Sequence, residues 1–371
     1  MIDVSIAADP APLAPEWDAL AQRLGAGPFL SPDWIAAHWR AFGAGQLTLV
    51  VVRRNGALAA VLPLARRGRQ TARSVTNAHS HQFGTLSEDH VLIIHALRAL
   101  AALGVSRLAL SYVDSDGPLA LAVRDHARAE GGLLAERVML RSPYIELHET
   151  SAEYHARLKR RFKADLRRRN RRLAESGEVT LDVADGSSNL DALLAEGWRL
   201  ERAGWKGRGG TGVADRPATE RFYREVAHRA AARDRLRLSF LRLDGRAVAF
   251  MFGLQQNGVL YLLKGGFDPA YRRFSPGQLL QEGVIEHAYE TGLSRIELLG
   301  NDEPYKLCWT DKVHERLSLQ CFAPSPARRA QWAVHAHAHP LALRMGVDRA
   351  ARPLRDHARI AIHAVRTHKK G

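Results

Sequence analysis

LRLSFLRLDGRAVAFMFGL, residues 236–254, is two apolar runs joined at Asp244-Gly245. An Asp-Gly pair between such runs is a two-residue β-hairpin signal, because both turn residues must take positive φ. The same layout stands 189 residues earlier in LTLVVVRRNGALAAVLPL (47–64), around Asn55-Gly56. A second echo follows in the same order. LGVSRLAL (103–110) is matched by TGLSRIEL (291–298) at an offset of 188, with Gly104/Gly292, Ser106/Ser294, Arg107/Arg295 and Leu110/Leu298 coinciding. Two features in one order at nearly one offset describe a chain written twice.

The second copy continues through Asn257-Gly258 into a strand at 258–267. A helix at 276–290, a strand at 294–299, a short helix from Pro304 and a strand at 316–323 follow. This is an α+β pattern, a mostly antiparallel mixed sheet flanked by helices. The expected organisation is an N-terminal unit over 1–149, a C-terminal unit over 150–323 and a basic helical tail over 324–371. Thr150-Ser-Ala-Glu153 is a capping box, and Tyr154, Leu158, Phe162 and Leu166 recur at helical spacing as one apolar stripe. The other faces of that helix carry ten Lys/Arg between 157 and 172 against the single acid Asp165. It reads as a linker helix, and its charge density also suits RNA.

With 54 Lys+Arg against 39 Asp+Glu, the net charge of +15 favours anionic partners. Two cysteines, Cys308 and Cys321, exclude a disulfide framework. The first residues lack a basic segment followed by an apolar one, so a cytoplasmic protein is expected. VLIIHALRALAALGV (91–105) is too short and too interrupted to span a bilayer. In HAHAH only His335 and His339 share a helical face, so no metal is expected there. The tail, with eight Lys/Arg after Phe322 from Arg344 onward, is a candidate for contact with an anionic membrane.

RRFSPGQLLQ (272–281) concentrates positive charge where a helix begins. Ser275 is the expected N-cap, Pro276 the first helical residue, and Gln278 the third, completing a capping box. Gly277 removes a side chain where the backbone would be approached. Unpaired amides, the positive end of the helix dipole and the guanidinium groups of Arg272 and Arg273 together suit a phosphate or pyrophosphate. The first copy has GTLSEDH (84–90) in this place, with Glu88 and Asp89 instead, which would repel one.

This succession, running into LLGNDEPYKLCW (298–309), resembles the GNAT acyltransferase superfamily. Within it the closer resemblance is to the tandem branch of CelD- or BioF2-like acetyltransferases. PFLSPDWIAAHW (28–39), VLPLARR (61–67), LRRRNRRL (166–173) and GWKGRGGTG (204–212) extend the match over most of 25–323. Fem-type aminoacyl-tRNA-dependent ligases are relatives with a similar double domain. The resemblance implies a tandem GNAT-like fold whose second domain binds acetyl-CoA or another acyl-CoA through Arg272, Arg273, Ser275, Pro276, Gly277 and Gln278. Lys264 and Gly265, within Leu262–Gly266, would line the acyl carbonyl and pantetheine arm. Tyr305 would protonate the departing thiolate, and Lys306 would stabilise the oxyanion. Glu297, Asp302 and Glu303 are the alternative bases. Trp205 and Lys206 would close over the acceptor. The family's association with polysaccharide and cell-envelope biosynthesis implies an amino sugar or nucleotide sugar as acceptor. The family's phosphate loop is richer in glycine; here only Gly277 is present. A Fem-like transferase using aminoacyl-tRNA would account for that, and the third possibility is a non-catalytic binder of anionic glycan or lipid.

Overall fold

The computed structural model describes residues 1–203 and 212–338. Trp205, Lys206, His339 and most of the basic tail lie outside the described residues. The first half runs β1 (Ile2–Ala7), α1 (Ala14–Arg23), α2 (Pro32–Phe42), β2 (Gln46–Arg54), β3 (Ala57–Arg67), β4 (Thr71–Ser74), β5 (Leu86–Ser87), α3 (His90–Ala102), β6 (Arg107–Asp114), α4 (Pro118–Ala129) and β7 (Leu133–Glu146). Then come α5 (Ser151–Arg157) and α6 (Arg160–Ala174). The second half repeats the order as β8 (Val179–Ala184), α7 (Leu190–Ala203), α8 (Pro217–Ala231), β9 (Leu236–Leu243), β10 (Arg246–Gln256), β11 (Val259–Phe267), α9 (Pro276–Glu290), β12 (Arg295–Glu297) and β13 (Val313–Phe322), followed by α10 (Pro326–Ala333).

The Asn-Gly and Asp-Gly turns do what their backbones allow. Asn55, Asp244 and Asn257 sit at φ 48–51° and are each followed by a glycine at positive φ, the mirror-image turn that matches strand twist. Each half is the expected α+β unit with a mostly antiparallel sheet, and the two are joined into one. The strand order is β1-β2-β3-β4-β6-β13-β7-β12-β11-β10-β9-β8, with β5 on β3. β13, the last strand of the second copy, is inserted into the first half between β6 and β7. β7 in turn ends by pairing Tyr144, Ile145 and Glu146 with β12. The strand expected at 316–323 therefore forms, but its hydrogen bonds cross the division expected at residue 150.

Helices cover both faces. On one, α1 and α2 meet α7 and α8, and a single core joins Trp17, Phe29 and Trp34 to Trp198, Tyr223, Phe250 and Tyr261. On the other, α3 and α4 cover the first half, and α5, α6 and α9 cover the second. We call the shared side the front face.

Two local expectations need correction. The basic linker is two helices, broken where Leu158 and Lys159 take extended ψ of 145° and 129°. Tyr154, Leu158 and Leu166 are still buried and Phe162 half-buried, so the apolar stripe is used across the break. The segment from Pro304 makes turns rather than a helix.

Candidate active site

β11 and β12 run side by side for three residue pairs only: Val259–Arg295, Leu260–Ile296 and Tyr261–Glu297. β12 then ends, with Leu299 and Gly300 at φ 51° and 63°, while β11 runs on to Phe267. Its pairing with β10 slips at Phe252/Gly253, leaving Leu263 as the extra residue. Such a bulge bends the strand. The two parallel strands part at this point, and Leu262–Gly266 borders the opening.

The glycines here have separate reasons. A Cβ on Gly266 would lie 2.4 Å from Glu201 Cα and 2.7 Å from Leu200 O, so Gly266 lets α7 lie directly on β11. Lys264 stands on the front face with its ammonium 5.3 Å over the Tyr223 ring. Gly265 faces Phe250 O, 3.1 Å from its notional Cβ.

α9 begins beside the opening, after a 3₁₀ turn at Pro269–Phe274. Pro276 is its first residue, as expected. Ser275 is not a side-chain N-cap: it lies in left-handed backbone (φ 50°, ψ 56°) and makes no capping hydrogen bond. Its carbonyl instead accepts from Gln278 N and Leu279 N. Gln278 closes no capping box. Its amide accepts from Trp309 Nε1 at 2.8 Å and donates to Tyr305 O at 3.3 Å, tying the helix to the Tyr305 turn. The serine fails as a cap because the tight 3₁₀ turn before it leaves only a left-handed residue to redirect the chain. Pro276 has no N–H, so Gly277 N–H is the first-turn amide without a backbone acceptor among the described residues. A Cβ on Gly277 would meet only Phe267 Cδ1, at 3.7 Å. The fold does not require glycine there; an approaching ligand would.

Arg272 and Arg273 are exposed, and Arg273 lies 4.6 Å over the Phe274 ring. Neither has a carboxylate partner among the described residues. α6 packs beside the 3₁₀ turn and α9, so its exposed arginines extend the positive field at the mouth. That field attracts anions whatever their identity.

Across the opening, Tyr305 is 55% exposed. Burial around its hydroxyl and the neighbouring Glu303 carboxylate push the phenol up to about 12, so it holds its proton at neutral pH. Lys306 binds Leu299 O at 2.6 Å, Asn301 O at 3.1 Å and Glu303 Oε2 at 2.7 Å. These contacts make it a clamp on the loop after β12, an occupation that competes with an oxyanion role. Asp302 pairs with Arg141 at 3.3 Å. Glu297 differs from both acids: its side chain is 4% exposed at the point where β11 and β12 part.

The first half has the same strand pair in a closed form. β4 and β6 pair in parallel over Thr71–Arg107 to Arg73–Ala109. Beyond them Phe83 bridges to Val113, donates its N–H to Tyr112 O and fills the gap. α3 opens on Asp89, which caps Leu92 N, and Arg54 and Arg23 neutralise Glu88 and Asp89. That turn has its own counter-charges among the described residues.

Sequence reasoning missed His314 and Ser142, which β13 and β7 bring beside Glu297, and His79, whose Nδ1 lies 3.4 Å from Tyr223 OH near Lys264. None sits in a local motif. The meeting of His314 and Ser142 with Glu297 depends on the strand exchange, which no periodicity reveals. No group of metal-ligating residues occurs among the described residues.

A family model of the acetyltransferase (GNAT) domain matches residues 160–307. Among solved structures, FemX superposes with a TM-score of 0.59 at 12% identity, covering 86% of this chain and 98% of that one. The C-terminal domain (DUF2156) of a protein assigned as a lysylphosphatidylglycerol synthetase from Agrobacterium fabrum gives 0.56 at 14% identity, covering 89% and 98%. L-PGS from Bacillus licheniformis gives 0.51 at 12%, covering 83% and 96%. At these identities the likeness is one of fold. No curated protein matches the chain in sequence.

Proposed function

From a chain that is a distant GNAT-superfamily acyltransferase of tandem build, we propose a transfer of acyl, foremost acetyl, from acyl-CoA to a primary amine. The observation that carries this reading is the parting of β11 and β12 after three pairs, with the start of α9 beside the opening. The pyrophosphate would lie on Gly277 N–H between Arg272 and Arg273. The acyl carbonyl and pantetheine arm would lie along Leu262–Gly266, with the amine arriving from the front face between the halves. The first half, closed by Phe83, would shape the acceptor's side. The bound CoA supplies the thioester and the leaving thiolate. The chain's own part is to orient the carbonyl, exclude water and return a proton to sulfur from Tyr305.

The acceptor we propose is an amino sugar or nucleotide sugar of envelope or polysaccharide synthesis. The site is cytoplasmic, where acyl-CoA is found. No helix among the described residues is long and apolar enough to cross a membrane. Contact of the basic tail with an anionic membrane belongs to the same proposal.

Calorimetric titration with acetyl-CoA tests the donor site. Arg272→Ala/Arg273→Ala should weaken binding roughly 10- to 100-fold, the scale of one or two charge-assisted hydrogen bonds. Gly277→Ala should weaken it at least about tenfold by blocking close approach, while leaving the melting temperature equal or higher, since alanine favours helix. Tyr305→Phe should lower kcat about 100-fold and spare acetyl-CoA affinity. Wild-type protein that ignores acetyl-CoA at millimolar concentration would end this reading.

A second reading has one specific observation behind it: α6 packs against the donor turn. A Fem-like donor, aminoacyl-tRNA, would place RNA phosphates there. Charge reversal at Arg167, Arg168 and Arg171 should then abolish activity, whereas an acyl-CoA enzyme should lose acetyl-CoA affinity but keep its kcat.

A further inference from the structure

Glu297 is the last residue of β12, and its register partners place it in a row on the front face. Tyr261 of β11 stands on one side of it and Tyr144 of β7 on the other. Two residues back on β7, Ser142 pairs with His314 of β13, which puts His314 on the same face. The imidazole Nε2 lies 3.3 Å from Glu297 Oε1, and the ring stacks on Tyr144 at 4.0 Å, 14° from parallel. Arg295 Nε forms an ion pair with the same carboxylate oxygen at 3.2 Å, without hydrogen-bond geometry. Glu297 Oε2 and Ser142 Oγ are buried and have no hydrogen-bond partner among the described residues, although both residues are at most 3% exposed. Buried polar atoms normally have a hydrogen-bond partner, so both can still accept one. His314 itself is 22% exposed.

We infer that His314 takes the proton from the attacking amine, with Glu297 as the positioning residue that holds its ring. The inference rests on the acyl-transfer reading above. A carboxylate on Nε2 fixes the tautomer with the proton there and leaves Nδ1 with a free lone pair. The amine nitrogen forms a bond to the carbonyl carbon and the carbon–sulfur bond breaks. The amine's proton passes to His314 Nδ1, and the thiolate takes a proton from Tyr305. Solvent then carries the proton from imidazolium back to phenolate. The carboxylates named by sequence are less suited, because Glu303 is held by Lys306 and Asp302 by Arg141. The charged and titratable groups around the ring are Glu297, Arg295 and Tyr144, with Tyr261 beyond Glu297 in the row and Arg316 two residues along β13.

The test uses the full chain, acetyl-CoA and glucosamine as probe amine, reading free CoA thiol. His314→Gln should lower kcat by about 100-fold and remove the acidic limb of the pH–rate profile, with acetyl-CoA affinity unchanged. Glu297→Gln should lower kcat about tenfold and keep that limb, shifted. Transfer by His314→Gln within threefold of wild type overturns the inference, as does loss of acetyl-CoA binding or of folding in both variants. If glucosamine is not accepted, nitrogen NMR of the His314 ring decides. A neutral ring protonated on Nε2 that loses this preference in Glu297→Gln supports the pair, and one protonated on Nδ1 overturns it. Failure of wild-type protein to bind acetyl-CoA would remove the acyl-CoA reading while leaving the ring measurement to judge the pair.

Discussion

Gly266→Ala is expected to destabilise the protein by about 3 kcal/mol, the upper part of the range for overpacking. The methyl would meet Glu201 Cα at 2.4 Å and Glu201 N at 2.6 Å, both backbone of α7. Backbone atoms inside a 14-residue helix cannot swing aside as a side-chain tip can, so α7 must lift from β11 as a body. That movement opens the front core at Leu200 and Trp198. It also shifts the end of β11, so acetyl-CoA affinity should fall with stability. Thermal and urea denaturation measure it. A melting temperature within a degree of wild type would mean that α7 and β11 are not packed this closely.

Acidification from pH 7 to pH 5 should cost about 2 kcal/mol through His38 alone. Burial against Phe42 and Phe222 drives its imidazole down to about 4, with nearby Asn77 a small opposing influence. His79 is pushed to about 3, first by burial and then by the Lys264 ammonium, and adds a loss of similar size. The sign follows from who holds the proton. Between pH 6.5 and 4 the unfolded imidazoles are protonated and the folded ones are not. Stability is therefore complete above pH 6.5 and falls as pH drops through that window. Lowered carboxylates such as Asp89 and Glu146 lose their contribution in the same direction, but only in the carboxylate range. His38→Phe should remove about half of the slope in melting temperature between pH 7 and 5. An unchanged slope would contradict this assignment.

The hairpins, both copies of the strand–helix–strand run and the bounds of α9 were legible because each is decided by neighbours in sequence. Asn55-Gly56 and Asp244-Gly245 need no distant partner to turn. The exchange of β13 into the first half was not legible, since Val313–Phe322 has the same alternation whichever strands it joins. Its consequence for the site is large, because His314 reaches Glu297 only through that exchange. Ser275 shows a different limit. Its residue type and position suit a cap, yet the turn at 269–274 dictates its backbone and removes the side chain from the task. Lys306 was legible as a charge in the loop after β12 but not as a clamp on Leu299 and Asn301, since those carbonyls are oriented by the turn there.

The measurement closest to the central claim is amide hydrogen exchange with and without acetyl-CoA. Residues 263–266 of β11 and 277–279 of α9 should become protected together, while 75–92 of the first half stays unchanged and Arg272→Ala/Arg273→Ala requires roughly 10- to 100-fold more acetyl-CoA for the same protection. Protection confined to 75–92, or none anywhere at saturating acetyl-CoA, would mean that the parted strands of the second half do not hold the donor.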